Sequence, residues 1–345
     1  MTFPQQDIRQ LLDLLQHKQR IVVFPHTAPD GDAIGSVVGW TRTLARVYPD
    51  KHFAIISPDR IERYLQGIPH VEDLLIFPEH EAEALRLIAE ADLICHLDHN
   101  QVSRLRYPAL VEAVRSSEAE RLLIDHHLYP EAGFVLGFSY PEYSSTCELV
   151  YCILRDMGYT EYISPSIATA LVTGIVTDTG RFMYSCFDPK LYQHFSELLA
   201  LGADYHYVID QLSYHGTLAE LRLRGYMLHE KLEVYPELGA AVMTLTQAEI
   251  QERQISKGDT EGLVNLPLSV EGIDCVCFIR EDRTQIKLSL RSTGDFPVNE
   301  IAMRAFGGGG HLNAAGGEHQ GTIDSARALF IETLVRLRSE RLAQC

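Results

Sequence analysis

Aspartate and histidine side chains recur at four places in the first 180 residues, each just after an apolar run. Three of these runs, at 21–24, 93–97 and 122–124, have the length of buried strands, and the fourth, at 168–177, has the length of a helix. The polar residues that follow are His26, Asp30 and Asp32, then Asp98, then Asp125, His126 and His127, and lastly Asp178. Carboxylates and imidazoles are common metal donors, so the residues of these clusters are candidate metal ligands.

The four clusters together indicate a metal centre. Carboxylates and imidazoles that converge on one spot repel or desolvate one another unless a cation neutralises them. Four of these Asp with two of the His, and no thiolate, suit Mn²⁺, with Mg²⁺ and Co²⁺ as alternatives. Six ligands match two ions about 3.5–4 Å apart that share a carboxylate, activate water and stabilise the oxyanions of phosphoryl transfer. A single Asp after a strand is also a common turn former or helix N-cap, so the inference depends on all four clusters.

Short apolar runs alternate with helical patterns in this part of the chain, and this alternation predicts the strands and helices that position the clusters. The runs lie at 21–24, 53–56, 92–97 and 121–124, and the helical patterns at 35–47, 79–91 and 107–116. This alternation is typical of a doubly wound α/β domain, with a mainly parallel sheet and helices on both faces. Ligands of such sheets collect at the carboxyl ends of the strands, where three of the four clusters lie.

Beyond residue 145 the pattern changes twice. Helices are expected at 146–157, 166–177 and 189–201, irregular chain at 202–217, and a connecting helix at 218–232. Strands resume at 233–235, 240–245, 275–280 and 285–290, before a last helix near 324–338. We therefore expect a metal-binding catalytic domain at 1–201, a linker with a connecting helix at 202–232, and a smaller α/β domain with a mixed sheet at 233–345.

Four consecutive glycines at 307–310, followed by His311, are the outstanding feature of the second domain. Such glycines let the backbone approach a ligand closely and turn N–H groups toward an anion, and His311 can donate to a phosphate. Arg291, at the end of a preceding strand, can form a bidentate phosphate pair. A flexible linker beside a surface arginine is the alternative. The His-x-Asn-Ala-Ala-Gly sequence after the glycines favours the binding site.

Composition restricts the partners of the chain. Its 345 residues are 46% hydrophobic and carry a formal net charge of −17, which argues against binding long duplex nucleic acid but allows a small phosphate substrate. Seven cysteines without a C-x-x-C pair predict reduced thiols rather than disulfides or a zinc ribbon. Neither a signal peptide nor a membrane span is indicated, so we expect a cytoplasmic protein with no membrane partner. The sequence leaves the oligomeric state open, and a homodimer is considered.

The motifs resemble those of a known family. His26-x-x-x-Asp30-x-Asp32, the isolated Asp98, Asp125-His126-His127 and Asp178-Thr179-Gly180 look like the four motifs of the DHH phosphoesterases, and the GGGGH segment looks like the signature of their associated C-terminal domain. The resemblance implies one ion held by His26, Asp30 and Asp98, and a second held by Asp32, Asp98, His126 and Asp178. It implies catalytic roles for Asp98, which bridges the ions, and for His127 and Asp178. The implied substrate-binding residues are His127, Arg291, Ser292, Gly308, Gly309, Gly310 and His311.

Family members of this length and domain pairing imply a specific activity. They hydrolyse short oligoribonucleotides (nanoRNA) from an end to mononucleotides and remove the 3′-phosphate of 3′-phosphoadenosine 5′-phosphate (pAp). A cyclic or linear dinucleotide phosphodiesterase and an exopolyphosphatase are alternatives, while the acidic charge weighs against a single-strand DNA exonuclease. The non-enzymatic alternative is a nucleotide-sensing module, which would usually lack a metal ligand. No ligand is missing from these motifs.

Overall fold

The computed structural model describes residues 3–183, 188–214, 216–256, 258–260, 262–282 and 284–342. Cys186 and Cys345 lie outside these ranges. The chain divides into two compact units, residues 1–215 and 216–345, each with its own sheet. Within the described ranges, no helix combines the length and the apolar character that crossing a membrane requires.

A parallel sheet, six-stranded in the part of the chain that is described, forms the centre of the first unit. Its strands are β1 (Arg20–Phe24), β2 (His52–Ser57), β3 (Leu74–Ile76), β4 (Leu93–Leu97), β5 (Glu120–Asp125) and β6 (Leu136–Ser139). Their order across the sheet is β3-β2-β1-β4-β5-β6, and each neighbouring pair is parallel. β1, β4 and β5 are therefore adjacent, and their carboxyl ends meet at one edge.

Helices cover both faces of this sheet. They are α1 (Gln5–His17), α2 (Gly31–Val47), α3 (Glu81–Glu90), α4 (Pro108–Ser116), α5 (Thr146–Asp156), α6 (Pro165–Asp178), α7 (Pro189–Ala200) and α8 (Tyr205–Tyr214). Successive side chains of a strand point to opposite faces. In β1, Ile21 and Val23 pack with α1, α2, α5 and α6, whereas Val22 and Phe24 pack with α3 and α4. Cores on both sides explain why the strands read as uninterrupted apolar runs.

This doubly wound arrangement confirms the predicted fold class, with differences at element ends. α2 begins at Gly31 rather than at residue 35, because the Asp30 carboxylate caps it by accepting the N–H groups of Asp32 and Ala33, both at 3.0 Å. α8 lies in the segment 202–217 that we expected to be irregular. β3 and β6 were not predicted, because strands of three and four residues present too short a pattern.

The second unit contains the mixed sheet that was predicted. Its elements are α9 (Leu218–Glu230), β7 (Leu232–Tyr235), β8 (Ala240–Leu245), α10 (Gln247–Glu252), β9 (Cys275–Glu281), β10 (Ile286–Ser292), α11 (Val298–Ala305), β11 (Gly309–His311), β12 (Ala314–His319) and α12 (Ile323–Leu342). The strand order is β11-β12-β10-β9-β8-β7, with β8 and β9 parallel and the other neighbours antiparallel. Core side chains of α11 and α12 pack on one face and those of α9 on the other.

The last two glycines of the run belong to a hairpin rather than to an open loop. Residues 309–311 form β11, which pairs with β12. A Cβ on Gly308 would overlap the carbonyl oxygen of Gly316, and one on Gly310 would overlap that of Ala314. Close approach of two backbones thus requires glycine at these two positions.

Candidate metal centre

The ends of three adjacent strands carry most of the predicted ligands. His26 lies two residues beyond β1, Asp98 directly follows β4, and Asp125 ends β5 with His126 next in the chain. Because these strands are parallel neighbours, the side chains meet at one edge of the sheet. Asp178, the last residue of α6, reaches the same place, with Oδ2 at 3.5 Å from His126 Nε2.

The first group of donors consists of His26, Asp30 and Asp98, whose potential ligand atoms lie within 4.8 Å of one another. His26 Nε2 is 3.5 Å from Asp98 Oδ2 and 3.9 Å from Asp30 Oδ1. Its other ring nitrogen, Nδ1, donates to the carbonyl of Thr27 at 2.9 Å. This bond orients the ring so that the neutral imidazole offers the Nε2 lone pair to a metal.

The second group consists of Asp32, His126 and Asp178, again with ligand atoms within 4.8 Å of one another. His126 Nε2 is 3.8 Å from Asp32 Oδ2 and 3.5 Å from Asp178 Oδ2. Its Nδ1 donates to the carbonyl of Tyr143 at 3.2 Å. His126 is therefore oriented in the same way as the histidine of the first group, with Nε2 toward the carboxylates.

Asp98 lies between the two groups. Its Oδ2 faces His26, and its Oδ1 is 3.6 Å from His126 Nε2. The residue is buried and has a φ of 60°, a left-handed conformation that Asp and Asn adopt more readily than most residues. One carboxylate oxygen toward each group is the placement that a bridging ligand requires.

The pKa values in the second group fit a site built for cations. Burial, together with the carboxylates of Asp98 and Asp178, raises the pKa of Asp32 well above its usual range. Burial also raises the pKa of Asp178 to about 7. Burial alone would lower the pKa of His126, but the facing carboxylates outweigh it and raise that pKa to about 10. Without a cation, these donor groups keep protons that a bound metal would displace. The donor set therefore fits divalent ions.

His127 is bound to a carboxylate for which sequence reasoning gave no role. Its Nδ1 donates to Asp125 Oδ1 at 2.7 Å, and its backbone N–H donates to Asp125 Oδ2 at 2.9 Å. Asp125 is fully buried, whereas the His127 side chain is 22% exposed. Because the carboxylate holds the proton on Nδ1, Nε2 is the ring nitrogen with which His127 can contact a substrate.

The residues that hold the carboxylates of Asp32 and Asp98 in place were also missed. The N–H groups of Thr146 and Cys147 donate to Asp32 Oδ2 and Oδ1, at 2.7 and 2.8 Å. The Thr146 hydroxyl donates to Asp98 Oδ1 at 2.9 Å. These residues form the first turn of α5, which has Ser145 as its N-cap. That cap is a sequence signal for the start of a helix, but not for what the helix contacts.

In the second unit, Arg291 and His311 lie in one row across three strands. Arg291 of β10 pairs with Ala314 of β12, and Ala314 pairs with His311 of β11. Directly opposed residues of antiparallel strands point to the same face of a sheet. Both side chains therefore lie on one face, two strand spacings or roughly 10 Å apart.

Ser292 and Gly308, two other residues expected to bind substrate, make contacts within the second unit. Ser292 follows Arg291 on β10 and so points to the opposite face, where it is 1% exposed and its hydroxyl donates to the carbonyl of Phe296 at 2.6 Å. The N–H of Gly308 donates to the carbonyl of Ala302 at 3.1 Å. These two donors are engaged inside the unit rather than turned toward an anion.

Two family models match this chain. The model of the DHH family, N-terminal domain, matches residues 20–175, and that of the DHHA1 domain matches residues 239–336. With this fold and this pair of domains, the chain belongs to the DHH family, and the resemblance drawn from the motifs is confirmed.

Three similar proteins each match more than nine tenths of this chain. The crystal structure of an exopolyphosphatase-related protein from Bacteroides fragilis is 39% identical, with a TM-score of 0.90 and coverage of 96% of both chains. The bifunctional oligoribonuclease and PAP phosphatase NrnA of Thermus thermophilus is 29% identical over 91% of this chain and 89% of its own. The cyclic-di-AMP phosphodiesterase PdeA of Listeria monocytogenes is 30% identical over 94% of this chain, which spans 48% of that protein.

Proposed function

We propose that the chain is a metal-dependent phosphoesterase that hydrolyses short oligoribonucleotides from an end to mononucleotides and removes the 3′-phosphate of pAp. The observation that carries the proposal is the convergence of six donor residues into two groups with Asp98 between them. A relative named for both activities, similar along 89% of its length, supports these substrates.

The proposed cofactors are two divalent ions, Mn²⁺ first, with Mg²⁺ or Co²⁺ as alternatives. One would be held by His26, Asp30 and Asp98, and the other by Asp32, Asp98, His126 and Asp178. Such ions supply an activated water and neutralise charge on the reacting phosphate. Oxygen and imidazole donors without a thiolate suit these metals better than soft ones.

His127 is proposed to bind and orient the reacting phosphate. With Nδ1 held by Asp125, Nε2 is the ring nitrogen that would contact a phosphate oxygen, and the carboxylate fixes the direction in which it points. The buried position of Asp125 keeps the ring from rotating as negative charge develops.

Arg291 and His311 are proposed to hold the other end of the nucleotide. A guanidinium and an imidazole on one face of the second sheet offer several donors to one anionic group. Fixing both ends of a short substrate orients it for attack, which accelerates the reaction by proximity. In this proposal residues 1–201 form the catalytic domain, residues 202–232 form the linker and connecting helix, and residues 233–345 form the substrate-binding domain.

The test is a turnover assay of the full chain with Mn²⁺ on pAp, the linear dinucleotide pApA, cyclic di-AMP, polyphosphate and pyrophosphate. We expect pAp and pApA to be hydrolysed fastest, with AMP as the nucleotide product and no turnover after chelation of the metal. Preferential hydrolysis of polyphosphate or cyclic di-AMP would replace the proposal by that alternative. Tight nucleotide binding without turnover of any substrate would indicate a sensor.

The direction of hydrolysis is tested separately. A short linear oligoribonucleotide should release mononucleotides one at a time from an end, because one phosphate must reach the metals while the rest is held elsewhere. Internal cleavage of a circular RNA at a comparable rate would contradict this mode. The proposed setting is the cytoplasm, and light scattering of the purified chain decides whether it is a homodimer.

A further inference from the structure

A short segment of the first unit, residues 143–147, contacts three of the proposed ligands although it supplies none of them. The carbonyl of Tyr143 accepts a hydrogen bond from His126 Nδ1. Thr146 then contacts two carboxylates, donating its N–H to Asp32 at 2.7 Å and its hydroxyl to Asp98 at 2.9 Å. The segment thus connects ligands that come from α2, from the end of β4 and from the end of β5.

Thr146 makes the most specific of these contacts. The residue has no exposed surface, and a hydroxyl has a single proton to donate, which here goes to Asp98 Oδ1. A carboxylate that accepts a fixed donor cannot rotate freely about its own side-chain bond. Asp98 Oδ1 is also the oxygen that faces His126, so the hydroxyl acts on the oxygen that would face the second ion.

A buried network anchors the segment. Glu148 Oε2 accepts the N–H and the hydroxyl of Ser144, at 3.0 and 2.7 Å, and Glu148 Oε1 accepts from His194 Nδ1 at 2.8 Å. Glu148 and His194 are 4% and 3% exposed. Satisfied polar networks of this kind are rigid, so Thr146 is held in place by α5 and α7 and not only by the carboxylates it contacts.

We propose that Thr146 is a positioning residue that fixes the orientation of Asp98 and Asp32 toward the metals, and that its hydroxyl thereby sets Mn²⁺ affinity and turnover without touching substrate. The inference rests on the proposed function. Outer hydrogen-bond partners of metal ligands typically contribute about 10- to 100-fold in metal affinity or activity.

The test compares Thr146→Val, which removes the hydroxyl but keeps the shape and the N–H, with Thr146→Ser, which keeps the hydroxyl. Thr173→Val is the matched control, because Thr173 is also buried and its hydroxyl donates to the Thr169 carbonyl of its own helix at 2.9 Å. Mn²⁺ affinity is measured by titration calorimetry on the full chain, and kcat and KM are measured on pAp.

Thr146→Val should lower Mn²⁺ affinity or kcat by about 10- to 100-fold with KM for pAp unchanged. Thr146→Ser should restore most of the loss, and Thr173→Val should match the wild type. Wild-type affinity and kcat in Thr146→Val would overturn the inference, as would a Ser variant as impaired as the Val variant. Thermal unfolding checks that each variant is folded. If Thr146→Val does not fold, Thr146→Ala replaces it, because Ala lacks the hydroxyl and also lacks the methyl that Val puts in the place of the hydroxyl.

The same experiment separates this inference from the proposed function. A wild-type chain that binds none of Mn²⁺, Mg²⁺ and Co²⁺ and hydrolyses no phosphoester would defeat the proposed function. Mn²⁺ binding and turnover that are intact in the wild type and unchanged in the Thr146 variants would defeat only the positioning role.

Discussion

Asp125 accepts two hydrogen bonds from His127, one from the backbone N–H at 2.9 Å and one from ring Nδ1 at 2.7 Å. Asp125 is the last residue of β5 and is fully buried, so the sheet fixes the carboxylate and the carboxylate fixes the ring. A hydrogen bond to a charged group contributes about 1.5–3 kcal/mol. The pair therefore gives His127 one orientation among the groups around Asp98.

Asp125→Asn keeps the shape of this side chain but removes its charge. We expect kcat on pAp to fall about 10- to 100-fold, since about 1.4 kcal/mol corresponds to a tenfold change in rate. Mn²⁺ content should be unchanged, because Asp125 is not a proposed ligand. Asp13→Asn, at an exposed position of α1, is the control. A kcat equal to that of the wild type would mean that His127 needs no charged partner.

Asp98→Asn should abolish turnover, because an amide replaces the two anionic oxygens of the carboxylate by one neutral oxygen and an NH₂ group. Asn is preferable to Ala for this test, since it tolerates the φ of 60° and keeps the fold unstrained. The loss should exceed the 10- to 100-fold that an outer hydrogen-bond partner of a metal ligand contributes. Metal analysis and steady-state kinetics provide the measurements, and near wild-type turnover would rule out the shared-ligand arrangement.

Mn²⁺ binding should release protons. With the pKa of His126 raised to about 10 and that of Asp178 to about 7, the metal-free site holds a proton on His126 throughout the neutral range and partly on Asp178. Ligands bind metals without these protons, so apparent Mn²⁺ affinity should rise as pH rises from about 6.5 to 8.5. Calorimetry in buffers of different ionisation enthalpy measures the release. Binding heats that do not depend on the buffer would contradict the assignment of these groups as ligands.

Arg291→Ala should raise KM for pAp by about 10- to 100-fold, because it removes a charge-assisted pair of about 1.5–3 kcal/mol. Mn²⁺ content should not change, and kcat should fall less than in Asp98→Asn. Lys287→Ala is the matched control: Lys287 lies four residues earlier on the same face of β10 and pairs with Asp282 at 2.8 Å. If Lys287→Ala and Arg291→Ala raise KM equally, the effect is one of general charge rather than of a binding site.

Gly308→Ala and Gly309→Ala test which of the glycines is required for packing within the second unit. A Cβ on Gly308 would overlap the Gly316 carbonyl, whereas one on Gly309 meets no heavy atom within 4 Å among the described residues. Overpacking of this kind costs about 1–3 kcal/mol, so Gly308→Ala should lower the free energy of unfolding of the second unit by that amount. Gly309→Ala should leave it nearly unchanged. Denaturant unfolding of both variants measures the difference, and equal stabilities would contradict the hairpin geometry.

The sheet and the donor clusters could be predicted because each is indicated by a short stretch of sequence, an apolar run followed directly by polar residues. A strand buried on both faces reads as a continuous apolar run, and its carboxyl end is where the next polar residue emerges. Asp98 is identifiable for this reason from its place after residues 93–97 alone. The start of α2 was placed four residues late, because Gly31 and Asp32 also fit a turn, and only the structure shows that Asp30 caps the helix.

The supporting contacts could not be predicted, because they join residues that are distant in sequence. Thr146 is 48 residues from Asp98 and 114 from Asp32. Nothing in its local pattern, a helix start after Ser145, distinguishes it from other first-turn residues. The same holds for the close approach of the Gly316 backbone to Gly308, because consecutive glycines fit both a ligand loop and a segment that another backbone approaches closely.

The spread of the donors along the chain, from His26 to Asp178, has a consequence for the denatured state. About 150 residues separate these two side chains in the sequence, so an unfolded chain presents no assembled site. An ion that binds only the native state stabilises it by mass action, by about 2.7 kcal/mol when the free concentration is 100 times the Kd. The second unit holds none of the proposed ligands and gains nothing directly. Metal supply would thus govern the resistance of the first unit to heat and proteolysis, whereas the stability of the second unit would depend on its own hydrophobic core.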